Sequence, residues 1–132
     1  LTRTKLNGRV PLIGFTGAPW TLMAYMIEGG GSKTFHKSKS WLFKHPNESH
    51  ELLQSVTNII VSYLVGQVQA GAQLLQVFDS WAGELSKAVF EEFCLPYLSQ
   101  IASRVRARLT TLGLEQVPLI VFAKGAYFSV EE

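Results

Sequence analysis

Residues 74–83 read LLQVFDSWAG, an apolar run that stops abruptly at an acid, a hydroxyl, an indole and a glycine. Leu74, Leu75, Val77 and Phe78 carry the branched and aromatic side chains that suit a sheet covered on both faces. Asp79, Ser80 and Gly83 can neither extend such a core nor be buried in it unpaired, because an unsatisfied polar group in an apolar interior costs stability. The stretch therefore predicts a buried strand that feeds a functional loop. In parallel α/β proteins ligands bind in the loops leaving the carboxyl ends of the strands.

Outward from this strand, Gln73 to Phe78, the chain alternates strands and helices. On the amino-terminal side, Val10 to Phe15 (VPLIGF) predicts a first strand, followed by a GFTGAPWTL turn and a helix from about Trp20 to Glu28. Gly29, Gly30, Gly31 and Ser32 form a break, and Lys33 to Lys44 is a basic, serine-rich stretch that suits a short helix. From Glu48 to Ala70, Leu52, Leu53, Val56, Ile59, Ile60, Tyr63, Leu64 and Val68 recur at steps of three and four, the spacing of a helix with one apolar face. Gly71 ends it. On the carboxyl side, Leu85 to Phe93 predicts a short helix, Pro96 opens another that runs to Leu112 and closes at Gly113, and Val117 to Ala123 (VPLIVFA) is a third strand. Crossovers of this length demand parallel pairing. The phrase VPLI opens both outer strands, as in a repeated barrel unit.

Composition narrows the classes. The chain has 132 residues, 47% hydrophobic and 17% charged, which is a globular composition. A formal net charge of +2 supplies no basic stripe for nucleic acid. Arg104, Arg106 and Arg108 fall near a helix end, where cations suit the dipole, and read as a solvated face. The single cysteine, Cys94, permits no intrachain disulfide and reads as a small buried hydrophobe in a reducing, cytoplasmic setting. No stretch is apolar enough to span a membrane or to serve as a signal peptide. His36, His45 and His50 lack the spacing, with Cys94 or one another, of a tetrahedral metal site. Residues 14–17, GFTG, lack the Lys and Ser/Thr of a P-loop and read as a close-packed strand-to-helix corner.

The segments GFTGAPWTLMAYMIEGGGS, YLVGQVQAGAQLLQVFDSWAG and VPLIVFAKG resemble the uroporphyrinogen decarboxylase family, in order and across essentially the whole chain. That resemblance implies a (β/α)8 barrel, of which this chain is a partial, central portion with three consecutive parallel strands and their crossover helices. It further implies a cytoplasmic homodimer that removes the carboxyl groups of the four acetate arms of uroporphyrinogen, giving coproporphyrinogen in haem biosynthesis, with no metal or organic cofactor. In the family a tyrosine in the helix after GAPWTL and the serine of DSWAG contact substrate. The matching positions are Tyr25 and Ser80, and Phe78 matches an aromatic that walls the cavity.

Each residue also carries a plainer reading. Tyr25 is otherwise a half-buried helix residue, Ser80 a cap for the following helix, Asp79 a structural acid without a carboxylate partner, and Trp81 a packing residue. The family's carboxylate-binding arginines, its pyrrole-holding acid and its carboxyl-terminal histidine belong to segments outside this chain, so no catalytic residue is assigned within it. FAKGAYFS departs from the family after the lysine, where an acid or polar residue is more usual, and this leaves the role of Gly125 and Ala126 open. Two readings follow. One is an internal portion of a working decarboxylase, favoured by the absence of methionine at Leu1. The other is a truncated, non-catalytic product that binds porphyrinogen weakly or associates with full-length subunits.

Overall fold

The computed structural model describes residues 1–129. Its elements in chain order are α1 (Thr2–Leu6), β1 (Ile13–Gly17), α2 (Pro19–Glu28), α3 (His36–Lys44), α4 (Pro46–Gln69), β2 (Leu74–Asp79), a 3₁₀ turn (Ala82–Glu84), α5 (Lys87–Phe93), α6 (Leu95–Thr111), β3 (Leu119–Ala123) and a second 3₁₀ turn (Tyr127–Ser129). The strands form one open parallel sheet in the order β1-β2-β3. This is the expected α/β architecture, a run of parallel strands with crossover helices as in part of a (β/α)8 barrel.

Proline sets several of the boundaries. Pro19, Pro46 and Pro96 occupy the first turns of α2, α4 and α6, where a missing N–H costs nothing. The two VPLI phrases behave alike: each strand begins after its proline, at Ile13 and Leu119, rather than at Val10 and Val117. Proline cannot donate to a ladder, but the segments before the strands still accept, since Gln73 N donates to Leu12 O at 2.8 Å and Leu75 N to Pro118 O at 2.9 Å. The middle strand extends one residue further than expected, to Asp79, because Lys124 N donates to its carbonyl at 3.1 Å. Helix α1 carries no periodic signal. Its Arg3 reaches Gly71 O at 3.2 Å, closing the turn after α4.

Alternation divides the sheet into two faces. Gly14, Thr16, Leu75, Val77 and Asp79 lie beneath the helices, whereas Phe15, Gln76, Phe78, Ile120 and Phe122 lie on the opposite face, away from the helices. The core sits on the helical side, where Trp20, Met23, Leu64, Leu75, Val77, Phe90 and Ile101 are buried. Helix α4 corrects the sequence reading in its orientation. Its buried face is Leu53, Val56, Thr57, Ile60, Val61, Leu64 and Val65, while Ile59 and Tyr63 stand 68% and 58% exposed. Packing against α2, β1 and α6 together requires a wide stripe at steps of three and four, and that stripe runs through 57, 61 and 65.

Residues 14–17 are close-packed as expected but belong to β1, which runs two residues past Phe15 to Gly17, so the corner itself falls at Ala18. A Cβ on Gly14 would strike Gln67, Leu75 and Ala72, and one on Gly17 would lie 2.8 Å from Leu22. The space that Gly14 leaves lets Gln67 of α4 pair with β1 through its amide. Its oxygen accepts from Phe15 N at 2.8 Å, and its nitrogen donates to Phe15 O at 3.0 Å.

Candidate active site

The carboxyl ends of the three strands are stitched together by main-chain bonds. Ala18 N, past β1, donates to Phe78 O at 2.8 Å, and Gly83 N, past β2, donates to Lys124 O at 2.9 Å, just past β3. Gly83 and Gly125 meet backbone to backbone, and a Cβ on Gly83 would lie 2.8 Å from Gly125 Cα and 2.9 Å from Lys124 O. The turn 80–83 is therefore held on both sides.

Phe78 is the centre of an aromatic row on the face opposite the helices. Its ring meets Phe15 of β1 at 6.0 Å and Phe122 of β3 at 6.2 Å, both edge to face. Phe15 and Phe122 were not singled out in the sequence, because only the strand register brings them to Phe78. All three present apolar surface at the end of the sheet where ligands enter parallel α/β folds.

Ser80 opens the turn after β2 and is half-buried. It does not cap a helix. Neither the 3₁₀ turn at Ala82 nor α5 has a side-chain cap, and the amide of Trp81 points instead to Thr21 Oγ1 at 3.4 Å. Tyr25, seven residues into α2 and 39% exposed, packs edge to face against Trp81 at 6.2 Å and against Phe35 at 6.3 Å. Phe35 in turn lies 4.3 Å from Trp81. The triple glycine thus ends α2 with Gly29 at φ 78° and leads to Phe35, whose ring joins the loop after β2 to α2. Tyr25 and Ser80 are brought to one neighbourhood through Trp81, the residue between Ser80 and the 3₁₀ turn.

Asp79 faces the helices, away from the aromatic row. It is fully buried, and Thr21 Oγ1 donates to its Oδ1 at 2.7 Å. Its other oxygen, Oδ2, has no partner, and Trp81 Nε1 is likewise buried without one. Loss of water pushes the Asp79 carboxyl up to about 6 against the pull of the Thr21 bond. Both unsatisfied buried side-chain atoms therefore belong to the residues that flank Ser80.

The remaining candidates sit elsewhere. Cys94 is buried at the junction of α5 and α6, its thiol pushed up by burial and then by the Asp79 charge. His50 bridges helices, with Nδ1 2.6 Å from Tyr97 Oη, Nε2 3.6 Å from Glu92 and its ring stacked on Phe93 at 4.6 Å. His45 lies against Trp41 at 4.5 Å. Among the described residues no group of three metal-ligating side chains comes together. Arg104 and Arg108, one turn apart, bond Asn58 at 2.7 Å and Ser62 at 2.9 Å and so tie α6 to α4. A groove of about 620 Å³ beside β3 is lined by Phe90, Leu95, Leu98, Val121 and Ala123. Its lining is mainly apolar, with Ser99, Lys124 and Tyr127 as polar members, and it includes none of Tyr25, Phe78 and Ser80.

A parallel sheet with an aromatic row on the face opposite its helices, and turns leaving its carboxyl end, is the arrangement of consecutive strands in an α/β barrel. The model of the family "Uroporphyrinogen decarboxylase (URO-D)" matches residues 1–132. The chain belongs to the uroporphyrinogen decarboxylase family. It is 61% identical over 132 residues to uroporphyrinogen decarboxylase of Schizosaccharomyces pombe, covering 100% of this chain and 37% of that protein. Identity is 58% to the Dictyostelium discoideum protein of the same name and 57% to the human one, covering all of this chain and 35% and 36% of those proteins. The chain thus spans little more than one third of the length of the curated relatives it matches.

Proposed function

We propose that residues 1–132 are the central portion of a single uroporphyrinogen decarboxylase barrel domain, in a cytoplasmic, homodimeric enzyme that decarboxylates the four acetate arms of uroporphyrinogen to give coproporphyrinogen. The observation that carries this reading is the family match over every residue, with the DSWAG turn at the carboxyl end of a parallel sheet. The reaction needs an electron sink rather than a metal. Protonation of a pyrrole ring supplies one: the C–CO₂ bonding pair flows into the ring, CO₂ leaves, the freed methylene carbon takes a proton to become methyl, and the ring returns its own proton. The protein's task is then to bind carboxylates, hold the ring and stabilise developing charge.

The residues present suit part of that task. Phe78, with Phe15 and Phe122, gives the macrocycle an apolar wall. Tyr25 and Ser80 bring hydroxyls that donate to acetate or propionate oxygens. The cations needed for a polycarboxylate come from other segments of the barrel. Expression of the full-length reading frame tests this: the purified enzyme converts uroporphyrinogen to coproporphyrinogen, read by chromatography of the oxidised porphyrins, and absence of product would overturn the assignment.

A further inference from the structure

We infer that Asp79 is a positioning residue, whose carboxylate, acting through the Thr21 hydroxyl, fixes the main chain of the turn that carries Ser80. The inference rests on the reading of Ser80 as a substrate contact. Its geometry is a relay across the sheet. Asp79 stands on the helical face, where it is fully buried, and accepts from Thr21 Oγ1 at 2.7 Å. With its proton committed to the carboxylate, Thr21 Oγ1 turns lone pairs to the amide of Trp81, 3.4 Å away. Trp81 immediately follows Ser80, and its ring bears on Tyr25. One hydroxyl on α2 therefore ties the acid that ends β2 to both residues assigned to substrate.

The surroundings leave the carboxylate with few competing partners. From α2 it meets Thr21, from the α5–α6 junction the buried thiol of Cys94, and from the loop after β3 the main-chain amide of Lys124 on its own carbonyl. The ion pair at the end of the turn, Lys39 with Glu84 at 3.6 Å, joins a half-buried lysine to an exposed glutamate. An acid held this way, with Oδ2 unpaired, is a poor stabiliser of the fold. Its protonation weakens the grip on Thr21, because a charge-assisted hydrogen bond becomes a neutral one.

The test uses the full-length enzyme with Asp79→Asn, Thr21→Val and Thr21→Ser. The readouts are kcat/KM from pH 5 to 8 and hydrogen exchange of segment 80–84, corrected for intrinsic rate. In the wild type, turn protection and kcat/KM fall together as pH drops through about 6. Asp79→Asn removes that step from both profiles and holds kcat/KM about tenfold down at pH 7.5, the scale of one charge-assisted bond. Thr21→Val loses protection at every pH, and Thr21→Ser restores it. If Asp79→Asn keeps the wild-type exchange profile, the inference is overturned, whether or not the enzyme turns over. Wild-type enzyme that fails to release coproporphyrinogen, yet shows the exchange step, overturns the functional reading and leaves the relay standing.

Discussion

Burial of Asp79 makes the fold itself depend on pH, with a sign opposite to that of a salt-bridged acid. Its folded value of about 6 lies above the ordinary 3.8, so the folded protein holds this proton more tightly than the unfolded chain does. The stability contributed is full below about pH 3.8 and is lost as pH rises through about 6, an effect on the order of 3 kcal/mol. Asp79→Asn in the full-length enzyme should flatten that part of the stability curve, and its melting temperature at pH 7.5 should not fall. Calorimetry across pH 4 to 8 checks both. Tyr25 makes the contrasting case. Its ring packs on Trp81 and Phe35, contacts that Tyr25→Phe keeps, so the melting temperature should hold. Loss of a hydrogen bond to a charged group worth roughly 1.5–3 kcal/mol should lower kcat/KM by about one to two orders of magnitude. Ser80→Ala should cost less activity, since a water can replace the hydroxyl, and no stability, because Ser80 caps neither following helix. Wild-type kcat/KM in both variants would remove Tyr25 and Ser80 from the site.

Among the elements, the strands and their order were readable from apolar runs bounded by glycine and proline, and the three main helices from spacing and proline. What escaped the sequence was whatever depends on a partner element. The plainer reading of Ser80 as a cap rested on the role serine serves locally, but Thr21, 59 positions earlier, receives the amide of Trp81 across the fold. The orientation of α4 was misjudged at Ile59 and Tyr63 for a similar reason, since apolar character alone does not tell a residue facing α6 from one facing outward. The aromatic row needed the register, which pairs Phe78 with Gly17 and Phe122 and leaves Phe15 on the same face. At the joint between the loops after β2 and β3, Gly83→Ala should separate two backbones now in contact. We expect destabilisation of about 1–3 kcal/mol, as for overpacking, together with loss of activity. Denaturant melts and kcat/KM of the full-length variant measure the two effects.

Taken whole, the molecule is covered on one side and bare on the other. Phe15 and Phe122 are 62% and 46% exposed, with Ile13 and Ile120 beside them, on a face that a closed barrel turns inward. β3 also offers an outer edge beside the apolar groove. Expressed alone, residues 1–132 should aggregate and show no decarboxylase activity, because edges and apolar faces stay open and the groups that must converge for the reaction are incomplete. A sharp monomeric peak on size exclusion with cooperative unfolding, or coproporphyrinogen release near a full-length rate, would contradict this. The close approach at Gly83 also bears on inheritance. Every single-base missense change in a glycine codon introduces a residue with a Cβ, and here that atom would meet Gly125 Cα and the Lys124 carbonyl rather than a side chain. Backbone atoms cannot be trimmed by a second mutation. Position 83 therefore has no neighbouring genotype that fits and no compensating partner to acquire, so variation in natural populations should be scarcer there than at Ser80, where a Cβ is already accommodated.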